Sequence, residues 1–344
     1  MEQLIESRLD VLSLADSLDS SAENSDVSTA PTTECSSPLD LSFTLAKYSM
    51  TESMLPIIQD KLVAIAQTAG KMMVDADPSV DTSDTKKNSS DRVTETDKAV
   101  EDMVKSRLLS AYPRFAFLGE ETLKDGQKLG DEPTFVCDPI DGTLNFIHGF
   151  PNTAVSLALT VEKKPIIGVV YNPFRGDLFT AIKNRGAYLT TANGSTKRLP
   201  LRPIPAPLAS LNDCLVAIEW GSQRQGSNWD LRTSIAQTLM TSKSSGGAMV
   251  HSIRSNGSAA LDFCYVAAGW LDVFWEGGVW IWDVCAGWII LEEAGGVVAS
   301  ANPGDWNPTL EGRLYFAVRG AKRAEQEGVV KELWGLMGDR RFVF

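Results

Sequence analysis

The sequence predicts an α/β protein built from two linked sub-domains. Apolar residues recur every three to four positions from Leu55 to Met72, which is typical of an amphipathic helix. Strand candidates cluster between residues 134 and 190 in a meander-like sheet. After the proline-rich link Pro200–Pro207, strand and helix patterns alternate as far as Leu336. A chain of 344 residues is long enough to bury a core in both halves.

Residues 1–48 are predicted to be a disordered, acidic, serine-rich leader. The first fifty residues contain nine acidic side chains, two basic side chains and eleven serines. Such a composition buries too little apolar surface to offset the entropy of ordering the chain. Helical spacing of apolar residues between Leu4 and Leu18 leaves a transient or docking helix as the alternative.

Residues 49–205 are predicted to form an N-terminal α+β sub-domain that holds metal and phosphate. The first helix tolerates Pro56 in its opening turn, and a polar loop over 75–92 separates it from a second helix over Asp97–Ala111. The period then changes to two, which predicts a sheet with strands at Phe115–Leu118, Thr134–Cys137, Ala154–Val161, Ile166–Tyr171, Leu178–Ile182 and Ala187–Leu189.

Residues 206–344 are predicted to form a C-terminal α/β sub-domain that binds substrate. Three of its segments have the pattern of strands, namely Leu215–Glu219, Leu271–Trp275 and Leu314–Val318. Four have the pattern of helices, namely Trp229–Met240, Ser258–Ala268, Asp283–Glu293 and Ala321–Leu336.

Composition excludes several classes of function. The net charge is −12 and no basic stripe occurs, so nucleic-acid binding is not expected. No apolar run approaches the roughly 20 residues that span a bilayer. Five widely spaced cysteines and two histidines disfavour a disulfide framework and a zinc site. Reduced thiols and an acidic start without a presequence pattern predict a cytoplasmic protein.

The segment Asp138-Pro139-Ile140-Asp141-Gly142-Thr143 is the strongest functional signal. Two carboxylates follow an apolar strand, and carboxylate oxygens suit a hard cation such as Mg²⁺. The N–H groups of Gly142 and Thr143 can point at a phosphate. An ordinary Asp-Gly turn is the simpler alternative. A haloacid-dehalogenase-type D-x-D-G-T site is discounted, because the acids here are three residues apart with a proline between them.

Two further acidic groups extend this signal. Glu120 and Glu121 follow the Phe115–Leu118 strand, and Asp283 is expected at the start of a helix. Alone, the first pair is typical of surface charge and Asp283 of an N-cap. Another acidic strand end nearby makes them candidate metal ligands.

These three motifs, in this order, resemble the inositol monophosphatase family of Mg²⁺-dependent, lithium-sensitive phosphatases, and most closely its fungal members. The resemblance covers about residues 50–340 and extends to five other segments: Asp91–Asp97, Asn145-Phe146, Tyr171–Pro173, Arg185–Ala187 and Arg254–Ala260. It implies a layered αβαβα sandwich of the sugar-phosphatase type and a homodimer.

The resemblance also implies the metal ligands and the catalytic residues. Glu120, Asp138 and the Ile140 carbonyl would hold one Mg²⁺, and Asp138, Asp141 and Asp283 a second. Glu120 would also help to hold a weaker third ion through water. Thr143, hydrogen-bonded to Asp97, would orient the attacking water.

The substrate contacts are likewise implied by the resemblance. The N–H groups of Gly142 and Thr143 would hold phosphate, beside Ile140, Asp141 and Asp283. Around the leaving group, Glu276 would accept hydrogen bonds from hydroxyls, and Lys86 would lie near the metals and phosphate. The ring would contact the turn formed by Gly257, Ser258 and Ala259.

The expected function is hydrolysis of inositol monophosphate to myo-inositol and phosphate by direct attack of a metal-bound water. A small-molecule phosphate monoester is therefore the expected partner. The alternatives are related phosphatases of the quinate-utilisation type, or those acting on fructose bisphosphate or 3′-phosphoadenosine nucleotides. A metal-binding regulator without catalytic activity is a further alternative from a different class.

Overall fold

The structure, a computed structural model, describes residues 38–76, 83–86, 92–124 and 126–344. It opens with helices α1 (Pro38–Ala46) and α2 (Met54–Asp75), a two-stranded antiparallel ladder of β1 (Asp84–Thr85) and β2 (Arg92–Val93), and helix α3 (Glu95–Ala111). The predicted disorder is therefore wrong for the end of the leader. Leu41 and Leu45 of α1 are buried, because they add apolar surface to the core beneath α2. The remaining leader, including the alternative helix at 4–18, lies outside the described residues.

A seven-stranded sheet forms the first half of the fold. Its strands are β3 (Ala116–Gly119), β4 (Thr134–Asp141), β5 (Ala154–Val161), β6 (Lys164–Asn172), β7 (Asp177–Ile182), β8 (Ala187–Thr190) and β9 (Thr196–Arg198). They lie in chain order, with β3 parallel to β4 and every other pair antiparallel. The short helix α4 (Thr143–Ile147) follows β4 directly.

A five-stranded sheet and four helices form the second half. The strands are β10 (Leu215–Ala217), β11 (Ser252–Arg254), β12 (Val273–Gly277), β13 (Val297–Ala299) and β14 (Leu314–Val318), in the order β11-β10-β12-β14-β13. The helices are α5 (Ser227–Met240), α6 (Ala259–Ala268), α7 (Ile281–Glu293) and α8 (Arg323–Met337).

The elements stack as five alternating layers. In the first sheet, Phe135 and Leu157 belong to the core shared with α2 and α3, whereas Val136 and Ala158 belong to the core shared with α6 and α7. The second sheet presents one face to α6 and α7 and the other to α5 and α8, where Trp275 lies in their common core. Alternate side chains of a strand point to opposite faces, so both sheets are covered on both sides. The predicted αβαβα sandwich is confirmed.

Two predicted boundaries are wrong in a way that bears on the site. Helix α7 begins at Ile281, two residues before the predicted start at Asp283. Strand β12 covers Val273–Gly277 rather than Leu271–Trp275, which places Glu276 inside the strand. The division into sub-domains at residues 205 and 206 stays a prediction. Among the described helices, none combines the length and the hydropathy needed to cross a membrane.

Candidate active site

A bulge in β4 brings Asp138 and Asp141 onto the same face of the sheet. Residues three apart in a regular strand point to opposite faces. Here Asp138 pairs with Ser156 of β5, and Asp141 pairs with Ala154, so three steps on β4 match two on β5. The extra residue turns Asp141 back to the side of Asp138. Both carboxylates are buried on the face that α7 covers.

Helix α7 supplies the third carboxylate, Asp283. The helix packs on the first sheet, where the Ser156 hydroxyl donates a hydrogen bond of 3.1 Å to the carbonyl of Trp282. Asp283 is the third residue of the helix, and its Oδ2 accepts the N–H of Trp280 at 2.6 Å. The expected N-cap role is therefore wrong in detail. Asp283 caps the helix from inside its first turn, because the helix starts two residues earlier.

The three carboxylates meet at one point. Asp138, Asp141 and Asp283 each offer an oxygen, and these oxygens lie within 4.8 Å of one another. Asp138 Oδ1 also accepts the N–H of Ile140 at 3.0 Å. The hydroxyl of Ser258 and the N–H of Ala260 both donate to Asp141 Oδ2, the latter at 2.7 Å. These bonds fix the orientation of each acid before any cation binds.

Glu120 lies beside this cluster and is paired with a lysine. Strand β3 runs parallel to β4 with Gly119 opposite Cys137, so Glu120 follows at the level of Asp138. Lys86 Nζ contacts carboxylate oxygens of Glu120 at 2.7 Å and of Glu121 at 2.6 Å. Burial lowers the pKa of Lys86, but the charges and hydrogen bonds of Glu120 and Glu121 together outweigh it, and the net shift is upward. A positive charge thus already lies where acidic groups converge.

The acidic groups of the cluster resist ionisation. Burial, followed by the charges of neighbouring carboxylates, raises the pKa of Asp141 to about 8 and that of Asp138 well above its usual value. Burial also raises the pKa of Glu120 to about 8, against the opposing effect of Lys86, and raises that of Asp283. Carboxyl groups that repel one another in a buried site favour a divalent cation, which compensates their negative charge. The residues therefore fit a metal site.

The turn after β4 brings a hydroxyl and a buried acid together. Gly142 has a φ of 94°, and a Cβ there would lie 2.8 Å from the carbonyl oxygen of Gly257, so the position requires glycine. The next residue, Thr143, donates from its hydroxyl to Asp97 Oδ1 at 3.2 Å and lies equally far from the Ile140 carbonyl oxygen. Asp97 is anchored in turn by the N–H of Thr94 at 2.8 Å.

The turn of Gly257, Ser258 and Ala259 closes the site from the second half of the fold. Ser258 caps α6 and is buried, with its hydroxyl committed to Asp141. Glu276 is also buried, and its Oε2 has no hydrogen-bond partner within the described ranges. Burial, only partly offset by Arg232, raises the pKa of Glu276 well above its usual value.

The family model described as "Inositol monophosphatase family" matches residues 57–337. The chain belongs to the inositol monophosphatase family. It is 46% identical over 256 residues to "Inositol monophosphatase 2" of Saccharomyces cerevisiae, covering 73% of this chain and 84% of that relative. It is 40% identical over 276 residues to "Protein qutG" of Emericella nidulans, with coverages of 72% and 82%.

A solved structure of similar fold is the extragenic suppressor protein suhB from Bartonella henselae. The TM-score is 0.66 at 30% identity, covering 82% of this chain and 99% of that one. Membership of the inositol monophosphatase family identifies the protein as a phosphoric monoester hydrolase. Its partner is accordingly a small-molecule phosphate, and its Asp cluster is a group that can hold a metal ion.

Several site residues of this family member were missed from the sequence. Glu101 of α3 accepts the N–H of Glu121 at 2.7 Å and so supports the turn that carries Glu120. The N–H of Asn256 donates to Glu219, and the Asn256 amide to Asp262, which holds the Ser258 turn in place. Asn256 lies inside the matched segment Arg254–Ala260 and Glu219 at the end of a predicted strand, but the sequence alone indicates a role for neither of them. Their contacts join positions 37 residues apart, which no local spacing reveals.

Proposed function

We propose that the protein hydrolyses inositol monophosphate to myo-inositol and phosphate in a Mg²⁺-dependent reaction. Water attacks phosphorus directly, and no covalent phosphoenzyme forms. The observation that supports this most strongly is the convergence of Asp138, Asp141 and Asp283 within 4.8 Å, beside the hydrogen-bonded pair of Thr143 and Asp97. Two of the site's elements, β4 and α7, come from different halves of the chain.

The donor set suits Mg²⁺ because every available ligand is an oxygen. Asp138, Asp141 and Asp283 would hold one ion, and Asp138, Glu120 and the Ile140 carbonyl a second. Glu120 would share in a weaker third ion once it leaves Lys86. When bound, the metal supplies charge neutralisation for the phosphate and makes water easier to deprotonate.

Thr143 and Asp97 position the nucleophile. The Thr143 hydroxyl donates a hydrogen bond to Asp97. Its oxygen lone pairs therefore face away from Asp97 and can accept a hydrogen bond from water. Burial raises the pKa of Asp97, while hydrogen bonds from Thr94 and Thr143 favour its ionised form. Asp97 thereby sets the orientation of the Thr143 hydroxyl, and the hydroxyl sets the position of the attacking water.

Recognition of substrate divides between the two halves of the fold. The N–H groups of Gly142 and Thr143 would bind phosphate oxygens, with Lys86 as an added positive charge. Glu276 has an unused carboxylate oxygen, which suits a ring hydroxyl as donor. Ser258 contributes by holding Asp141 rather than by donating to substrate, since its hydroxyl is already engaged. Ala259 and Gly257 contribute shape.

Phosphate release from a panel of monoesters tests the proposal. We expect inositol 1-phosphate to be cleaved with Mg²⁺, activity to disappear with EDTA, and Li⁺ to inhibit. The panel includes fructose bisphosphate, a 3′-phosphoadenosine nucleotide and shikimate-type phosphates. The last of these follows from the 42% identity of this chain, over 271 residues, to "Quinic acid degradation cluster protein x" of Neurospora crassa. Preference for one of these compounds over inositol 1-phosphate would change the proposed substrate but not the proposed reaction, phosphate monoester hydrolysis. If the protein binds cations but hydrolyses none of these phosphate monoesters, the proposed enzymatic activity is contradicted.

The expected homodimer is part of the same proposal. Light scattering after size exclusion should give about twice the 37.4 kDa mass of the chain. A monomer mass at micromolar concentration would contradict it. The cytoplasmic location expected from the sequence stays a prediction.

A further inference from the structure

Arg313 lies outside the predicted site but is joined to Asp283 through the turn before α7. Its guanidinium stacks on the Trp280 ring, 3.9 Å from the ring centroid. The backbone N–H of Trp280 is the group that donates to Asp283 Oδ2 at 2.6 Å. One residue, Trp280, thus contacts the arginine with its side chain and the acid with its backbone.

Arg313 also forms two hydrogen bonds with Gly278, in the turn before α7. Its Nη2 donates to the Gly278 carbonyl at 2.5 Å, and its own carbonyl accepts the Gly278 N–H at 2.7 Å. The arginine backbone is held from the other side, where its N–H donates to the Tyr315 hydroxyl at 3.1 Å. Gly278 has a φ of 110°, so the turn adopts a conformation that ordinary residues avoid and depends on external support.

Phe344 also lies against the Arg313 guanidinium. Its ring centroid lies 4.9 Å from the guanidinium carbon of Arg313, and the ring also packs against Gly278. The preceding residue, Val343, exchanges two backbone hydrogen bonds of 2.8 and 2.9 Å with the Asn228 side chain. Arg313 is therefore in contact with two aromatic rings, and one of them, Phe344, follows a residue that is hydrogen-bonded to Asn228.

We propose that Arg313, in contact with Trp280 and Phe344, is a positioning residue that sets the orientation of Asp283 in the metal site. The inference rests on the proposed function, in which Asp283 is a metal ligand. A merely electrostatic role predicts the opposite effect, since a positive charge near a cation site weakens cation binding. Removal of Arg313 should therefore weaken metal binding if Arg313 positions Asp283. It should strengthen metal binding if Arg313 only repels the metal.

Replacement of Arg313 tests this directly with Tb³⁺ alone as a luminescent probe excited through tryptophan. Partners that orient metal ligands contribute roughly 10–100-fold to metal affinity. We expect Arg313→Ala to weaken Tb³⁺ binding about tenfold and to raise the Mg²⁺ concentration for half-maximal activity equally. The kcat at saturating Mg²⁺ should change little. Arg313→Lys should keep most of the defect, because lysine keeps the charge but not the planar stack or the fork of donors.

Phe344→Ala and Val343→Ala form a matched pair that avoids a folding defect. Phe344 is 48% exposed and covers Arg313, whereas Val343 is 72% exposed in the same segment. We expect Phe344→Ala to weaken Tb³⁺ binding in the same direction and Val343→Ala to leave it unchanged. Unchanged or tighter binding in both Arg313→Ala and Phe344→Ala would overturn the inference, and if Arg313→Ala does not fold, Phe344→Ala decides. A wild-type protein that neither binds Tb³⁺ nor hydrolyses phosphate would instead overturn the proposed function.

Discussion

Asp138 is a side chain that is costly to the fold and that we propose as a metal ligand. It is buried, and this burial, followed by the charges of nearby acids, raises its pKa well above the usual value. Without a cation, ionisation of Asp138 would place its negative charge beside the carboxyl groups of Glu120 and Asp141. At the residue scale, ionisation of the site is therefore costly, and a bound metal ion would offset that cost.

Asp138→Asn should abolish activity and leave the fold intact. The amide keeps an oxygen for the Ile140 N–H but is a poor bridge between two cations, so several kcal/mol of transition-state stabilisation are lost, at least about a hundredfold in kcat. Because the substitution also removes repulsion, the melting temperature in EDTA should equal or exceed that of the wild type. Phosphate release and thermal unfolding measure the two effects. Retained activity would contradict the bridging role.

Thr143→Val should lower kcat about a hundredfold, a typical contribution of a group that handles protons in the transition state. Valine has nearly the same shape but cannot donate to Asp97 or accept from water. Thr143→Ser keeps the hydroxyl and is the matched control, with activity within a few-fold of wild type. Equal activity in both variants would remove Thr143 from the mechanism. The Mg²⁺ requirement should stay the same in both, since the Thr143 hydroxyl is not proposed as a ligand.

At the scale of elements, the site depends on how closely α7 approaches the first sheet. Gly168 of β6 lies under the helix, and a Cβ there would come within 2.4 Å of the Ala286 carbonyl oxygen. Gly287 has the same role toward α6, since a Cβ there would meet Phe263 at 2.4 Å. Glycine at these two contacts lets α7 carry Asp283 to the end of β4.

Gly168→Ala should destabilise the protein by about 1–3 kcal/mol, the usual cost of overpacking a core. It should also weaken metal binding, because the helix must move away from the sheet. The control is Gly328→Ala in α8, where nothing lies within 4 Å of the new Cβ. That change should stabilise the protein by about 0.5–1 kcal/mol, since alanine favours helix. Urea unfolding would reveal both, and equal effects at the two glycines would contradict the packing argument.

At the scale of the whole molecule, the buried acids couple stability to pH and metal. The pKa values of Glu120 and Asp141 are raised to about 8 in the folded protein, from ordinary values near 4. Between these limits the folded state holds more protons than the unfolded state, so stability falls as pH rises. A cation that binds only the folded state raises the free energy of unfolding.

Thermal unfolding in EDTA should therefore show a melting temperature that decreases from about pH 5 to about pH 8. With saturating Mg²⁺ the decrease should be smaller or reversed, because the metal competes with protons for the same oxygens. In Asp141→Asn the slope in EDTA should be reduced, since one titrating group is gone. A melting temperature in EDTA that rises across this interval would contradict the shifted pKa values.

The layered α/β fold and family were readable from the chain, because helix and strand periods and the motif around Asp138 are local patterns. The boundary of α7 was not, and neither was the helix at Pro38–Ala46, since both depend on burial against distant elements. The same holds within the site. The residue types that suit a metal and a phosphate near Asp138 occur in six adjacent residues and can be read from the sequence. The position of Asp141 relative to Asp138 instead depends on a bulge in the pairing of β4 with β5. The roles inferred for Arg313 and Glu219 follow from contacts across 35 and 37 residues of sequence, where local periodicity carries no information.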